Sequence, residues 1–452
     1  MDKKENVDAD KTEQRAAHVP PTAAHVPPTA AHRADAGATH PTTRSAHGHK
    51  PSKQRRRAVP RKALAAVALV LALVLGASLW MFKLRPVSLT VNDAELSVSV
   101  STPLADVMKE NDWFGAVPGR LLSVGGNVLD EDGGNEPIVT CEGEELSADE
   151  VATAAVREGA TYAVVNGTDM QEPSHEETVA VSPAVQMERG GAVQYVSQWG
   201  KPGSKTVLVG EQSGEMVDKE ILQPAQDMVV SSVNLKPKGG KYAALTFDDG
   251  PSKYTPQILE VLKEKGARAT FFNLGQSAAG DPAGVKAIVD AGCEVASHTN
   301  SHQNLPQLDR DTLRSEITSA FDTLEQASGT AIQMMRAPYG AFTDVEWGRA
   351  GDLISCNVLW NIDTLDWKRP GAQAITNAVL NNVKNGSIIL MHDGGGNRSQ
   401  DVEVLPGIID GLHEQGYQLV TVSELIDLDG RLPQAVAQGA VAMPEGSELP
   451  AV

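Results

Sequence analysis

Only three cysteines, Cys141, Cys293 and Cys356, occur in 452 residues. Three thiols cannot build the disulfide framework of a small secreted domain, and three buried thiols are expected. Positive charge is scarce beyond residue 62, where 26 Lys and Arg face 52 Asp and Glu within a whole-chain net charge of −19. So acidic a body excludes a nucleic-acid partner, because neutralising phosphates takes a surplus of Lys and Arg. Residues 1–62 lack aromatics and nearly all large apolar side chains. They cannot bury enough surface to fold and are expected to be disordered. Ala17–Ala23 recurs there as Ala24–Ala30, and six of the 11 histidines fall in this stretch. Metal binding by that tract is conceivable, but a solvated, repeat-expanded tail accounts for it. Elsewhere histidine is rare: His175, His298, His302, His392 and His413 complete the set.

The tail closes on a basic cluster from Lys50 to Lys62, followed by 20 uncharged residues, Ala63 to Phe82. As a helix this run crosses roughly 30 Å of hydrocarbon. The cluster on its N-terminal side predicts a cytoplasmic tail, with everything after Lys83 outside. A cleaved signal peptide is the alternative, and Gly76-Ala77-Ser78 offers small residues, but 62 residues is too long for its leading segment. The expectation is therefore a single-pass anchor in the cell membrane of a Gram-positive-type bacterium.

At 452 residues two or three domains are expected. From Val87, alternation at Leu89, Val91, Leu96, Val98 and Val100 around Asn92-Asp93 predicts two strands and a turn. Thr102-Pro103 then starts a short helix, which suggests a small, β-grasp-like α+β module. No catalytic constellation is present between Val87 and Lys238. After Gly239 strands and helices alternate regularly. Strand Tyr242–Phe247 leads to a helix capped by Thr255, and the pattern closes with strand Gln418–Val422. Such alternation implies parallel strands with crossover helices, whose active residues gather at the strands' C-terminal ends.

Thr246-Phe247-Asp248-Asp249-Gly250-Pro251 ends the first of these strands. Adjacent carboxylates repel, and burial disfavours both charges. A cation held by Asp249, with Asp248 left as a base, resolves the conflict, although a plain turn has the same composition. His298 and His302, four apart after a strand, add two nitrogens; with one carboxylate this is the ligand pattern of a catalytic zinc. Arg336-Ala337-Pro338-Tyr339-Gly340 offers a guanidinium and a sharply turned backbone. Asp363-Thr364-Leu365-Asp366-Trp367 sets a carboxylate beside an aromatic, and Leu390-Met391-His392-Asp393 brings a histidine to a strand's end.

Through these five motifs, residues 241–427 resemble the polysaccharide deacetylase family (NodB homology, carbohydrate esterase family 4). The resemblance implies an α/β fold, a distorted (β/α) barrel of the NodB type. It would be preceded by the small α+β module, one transmembrane helix and the disordered tail. It divides the chain into a cytoplasmic tail (1–62), an anchor (63–82) and an extracellular spacer or positioning region of one or two small modules (87–238). A catalytic domain (239–428) and a disordered C-terminal tail (429–452) follow.

The resemblance also implies roles. Asp249, His298 and His302 hold one divalent ion, Zn2+ in most of the family, with Co2+ or another ion as alternatives. Asp248 is the general base and His392 the general acid; Arg336 orients Asp248, and Asp366 orients His392. The backbone N–H of Tyr339 stabilises the oxyanion, and Trp367, Leu390 and Pro338 wall the substrate pocket. The implied activity is removal of acetyl groups from N-acetylglucosamine in peptidoglycan or a related cell-wall glycan. Deacetylation of N-acetylmuramic acid or of an exported poly-N-acetylglucosamine is the alternative, since these activities share the motifs. A non-catalytic glycan-binding protein of the wall is the reading from another class, and the presence of Asp248 and His392 counts against it.

Overall fold

The structure, a computed structural model, describes residues 61–452. The disorder expected over residues 1–62 falls, but for the last two positions, outside them. The segment Lys62–Leu84 is one helical run with a mean hydropathy of 2.5, long and apolar enough to cross a membrane. Its last turn, Trp80–Leu84, widens to a π-helix.

Strand Pro86–Val91 turns back through Asn92 and Asp93 into Ala94–Ser99. Both turn residues take positive φ, 46° and 66°, which Asn and Asp tolerate. Helix Leu104–Glu110 buries Leu104, Val107 and Met108 in one core with Val87, Leu89, Val91 and Tyr162. Pro86–Val91 lies between Ala94–Ser99 and a parallel partner, Thr161–Val165, and the sheet continues through Ile138–Cys141 to Glu144–Glu145. That order is the β-grasp-like arrangement expected from the sequence. A three-stranded antiparallel ribbon follows, of Ser174–Val181, Gly203–Gly210 and Met216–Gln223.

The large sheet is built on strand Lys241–Asp248. On one side it pairs in parallel with Ala269–Asn273, which leads through Glu294–Ser297 and Met334–Met335 to Cys356–Val358. On the other it pairs with Ser387–His392 and then Ile362–Asp363, again in parallel. Alternation along Lys241–Asp248 sorts its side chains. Ala243, Leu245 and Phe247 enter the core that also holds helix residues such as Ile258 and Leu262. Thr246 and Asp248 point to the other face, towards Arg336. Among the described residues no pairing joins the sheet's two ends, so the barrel is distorted and open.

Three differences from the sequence reading have physical causes. The catalytic fold does not begin at residue 239. Val185–Met187, Val193–Gln198 and Met228–Val233 extend the large sheet, with Val193–Gln198 antiparallel to Cys356–Val358. The pairing that joins them to the catalytic strands, Val193 with Val358, spans 165 residues, and no local pattern reveals it. Nor is 429–452 a free tail: Leu432, Val436 and Ala437 are buried in a cluster with Val422, Leu425 and Ile426. The strand expected to run to Val422 stops at Leu419. Thr421 and Glu424 form a capping box that starts helix Val422–Asp429.

The three cysteines are free and buried.

Candidate active site

The candidate side chains are placed by strand register. Asp248 pairs with His392 across adjacent parallel strands, so both emerge at one level of the sheet's C-terminal edge. Asp249 follows with φ 72°, which breaks the strand and turns its carboxylate to the same edge. A Cβ at Gly250 would overlap the buried Asp393 carboxylate, which explains the glycine after the two aspartates. Thr255, expected as a helix cap, instead lies inside helix Thr255–Lys265, and its hydroxyl donates to Asp393 Oδ2 at 2.5 Å.

His298 follows strand Glu294–Ser297 and is buried; its Nδ1 donates to the carbonyl of Arg336 at 2.8 Å. That bond leaves Nε2 with its lone pair facing Asp249 Oδ1 at 3.6 Å. Burial holds the His298 imidazole down at about pKa 3, so it is a neutral ring. His302 lies on a loop with φ 61°, and its Nε2 is 3.5 Å from the same Asp249 oxygen. The loop is pinned by the buried Glu316, which accepts from the N–H and hydroxyl of Ser301. Among the described residues Asp249, His298 and His302 are the group that offers three convergent ligand atoms, all within 4.8 Å of one another. Asp249 Oδ1 is buried and without a hydrogen-bond partner. An orphaned anionic oxygen facing two imidazole nitrogens fits a divalent cation.

Arg336 is fully buried and spends its guanidinium on four acceptors. These are Asp248 Oδ1 at 2.7 Å, Thr246 Oγ1 at 2.9 Å, and the carbonyls of Val358 and Leu359. The Phe272 ring lies 4.1 Å beneath it. Burial raises the Asp248 carboxyl above its ordinary value, and Arg336 and His392 oppose the rise.

His392 Nδ1 meets Asp366 Oδ1 and Oδ2 at 2.9 and 3.0 Å. Burial disfavours the imidazolium, but the hydrogen bond and charge of Asp366 outweigh it and lift His392 above its usual value. Asp366 is itself buried beside Asp401. Burial and the neighbouring Asp366 push Asp401 up to about 9, so Asp401 is the neutral acid of the pair and Asp366 the anion.

These groups open onto one cavity of about 390 Å³. Asp248, Asp249, His298, His302, Tyr339, Trp367, Leu390 and His392 line it, together with Trp360, Asp363 and Arg398. Tyr339 takes φ 60° and sets its ring edge-on to His302 at 4.8 Å. Pro338, expected in the pocket wall, is buried beneath that turn and does not line the cavity. Arg336 and Asp366 stand behind the lining, each holding a residue that faces it. Sequence reasoning did not single out Trp360, Arg398 or Asp401. A tryptophan two residues past a strand was the available signal for the first; burial, invisible in a sequence, marks the other two.

Residues 235–353 match the family model described as polysaccharide deacetylase. A peptidoglycan-N-acetylglucosamine deacetylase of Bacillus cereus is 38% identical over 193 residues, which are 42% of this chain and 90% of that protein. A chitooligosaccharide deacetylase of Sinorhizobium fredii is 37% identical over 40% of this chain and 89% of its own length. The solved peptidoglycan deacetylase PdaC from Bacillus subtilis is 34% identical, covering 43% of this chain and 93% of that one, with a TM-score of 0.40.

Proposed function

This chain belongs to the polysaccharide deacetylase family, and on that premise we propose that it hydrolyses the acetamide of N-acetylglucosamine residues in peptidoglycan. The family membership makes it a hydrolase of non-peptide C–N bonds acting on acetylated polysaccharide; the sugar, the metal and the residue roles are this reading's own. One observation carries it. Asp248, held by Arg336, and His392, held by Asp366, flank the three-ligand site within a single cavity.

Asp249, His298 and His302 would hold the ion, with zinc the first choice for two imidazoles and a carboxylate. When bound, the ion supplies Lewis-acid polarisation of the acetamide carbonyl and of the attacking water. Asp248 takes the proton from that water as its oxygen bonds to the carbonyl carbon. Arg336 opposes the rise that burial imposes on this carboxyl and aims it. The backbone N–H of Tyr339, in its left-handed turn, donates to the oxyanion. His392, with Nδ1 fixed by Asp366, presents Nε2 to the cavity and gives its proton to the leaving nitrogen as the C–N bond breaks. Acetate and a free amine result. Trp367 and Leu390 pack on the acetyl group.

For the whole protein, the apolar helix Lys62–Leu84 anchors the chain in the cell membrane, with the basic stretch before it cytoplasmic and the catalytic domain outside. The α+β module then acts as a spacer or positioning element towards the wall. The relatives named as peptidoglycan deacetylases support the substrate.

The test is acetate release by the zinc-loaded protein from purified peptidoglycan and from chitin oligomers, with Asp248→Asn as control. The variant should keep its metal and lose about 10²–10⁴ in kcat. Undiminished release by Asp248→Asn refutes the base; no release by the wild-type protein from either polymer refutes the activity.

A further inference from the structure

Two buried arginines serve this cavity, and they are used differently. Arg336 gives its guanidinium to four protein acceptors. Arg398 is 5% exposed and lines the cavity, yet among the described residues it makes one side-chain hydrogen bond, from Nε to the carbonyl of Gly394 at 2.5 Å. Both Nη groups are left over. No described carboxylate oxygen lies within 4 Å of it, whereas Arg336 meets Asp248 Oδ1 at 2.7 Å. A guanidinium carries five N–H donors, and the unbonded Nη groups of Arg398 remain accessible from the cavity that it lines.

The surroundings explain why no counter-ion comes from the protein. Asp366, whose charge the Arg398 guanidinium feels, is engaged by His392. Asp401, three residues after Arg398, is neutral beside Asp366. Nor can Arg398 swing away freely. The loop before it packs on Asp249: a Cβ at Gly394 would overlap the Asp249 backbone, and one at Gly395 would overlap its carboxylate. Asn397, next in line, accepts from the Tyr254 hydroxyl and from the N–H of Ser399. A glycine loop wrapped around a metal ligand thus delivers one fixed, unpaired guanidinium to the wall of the catalytic cavity.

We propose that Arg398 is a carboxylate-binding residue of this cavity, gripping an anionic group that the glycan carries near its acetamide or the acetate that hydrolysis leaves behind. Planar bidentate recognition of a carboxylate suits its two free Nη groups. The proposal rests on the deacetylase reading for its two sources of carboxylate. In the first, Arg398 makes the enzyme select acidic glycans, such as those bearing lactyl ethers, over neutral chitin-type chains. In the second, it retains the product and sets acetate inhibition.

The experiment compares the zinc-loaded full chain with Arg398→Gln and Arg398→Lys. kcat/KM is measured on neutral chitin oligomers and on muramyl oligomers with free carboxylates, and the inhibition constant of added acetate is measured on both. Selectivity for the acidic substrate should fall about tenfold in Arg398→Gln if the carboxylate is the glycan's. If it is the product's, the inhibition constant should rise about tenfold on both substrates instead. Arg398→Lys, which keeps the charge, should recover part of either effect. Metal content and the thermal midpoint report folding, and if Arg398→Gln loses its metal, the comparison rests on Arg398→Lys. Unchanged selectivity and unchanged inhibition in a folded variant overturn the proposal. Should the wild-type protein release no acetate from either substrate, the deacetylase reading fails by itself. Calorimetric titration with acetate and with the acidic oligomer then decides the role of Arg398: binding that Arg398→Gln does not weaken, or no binding, overturns it.

Discussion

The imidazole of His392 meets both carboxylate oxygens of Asp366, at 2.9 and 3.0 Å from Nδ1. The two residues are 26 apart in sequence: His392 ends strand Ser387–His392, and Asp366 opens a short turn just past the neighbouring strand Ile362–Asp363. The contact decides which charge state His392 carries, because burial alone would favour the neutral ring.

Asp366→Asn removes the charge and keeps the size. In the proposed mechanism His392 is the general acid and must be protonated, so activity should persist until pH rises through the His392 value, which Asp366 holds above the ordinary range. Without that carboxylate, burial dominates and the value drops. The alkaline limb of kcat against pH should move to lower pH. An unmoved limb would assign the limb to another group.

His298→Ala deletes one of the three convergent donor atoms proposed to hold the ion and exposes the orphaned Asp249 oxygen to water. Metal content after dialysis, read by elemental analysis, should fall well below one ion per chain. Full occupancy would mean that the ion is held elsewhere.

Arg336→Ala strands the buried Asp248 carboxylate beside Thr246. Breaking a buried pair in this way costs about 3–5 kcal/mol. Urea unfolding should show that loss along with the loss of activity. A variant of wild-type stability would mean that water reaches Asp248 and replaces the guanidinium.

Deletions test the revised boundaries. A chain starting at Gly239 lacks three strands of the large sheet and should be insoluble, whereas one starting at Ser182 retains them. Ending the chain at Gly430 strips Leu432 and Val436 from their cluster. That should cost about 3 kcal/mol or more, read as a lower urea midpoint. A fully stable, active chain from Gly239 would make the extra strands dispensable.

The reading of local order succeeded where neighbours in sequence are neighbours in space. The turn at Asn92-Asp93 follows from two residues that tolerate positive φ, and the buried strand Lys241–Asp248 from its apolar run. The Asp248-Asp249 pair and the four-residue spacing of His298 and His302 singled out the three residues whose ligand atoms converge. Composition set the free thiols and the apolar helix before the first strand.

Only the tertiary structure decided what depends on distant partners. It drew Val193–Gln198 against Cys356–Val358, buried Val436 and sealed Pro338 beneath its own turn. It also set Asp401 beside Asp366 and left Arg398 without an anion. Such outcomes are fixed by which strand edge remains unpaired and which charge loses its water. Both are set by long-range packing and desolvation, to which no short stretch of sequence is sensitive.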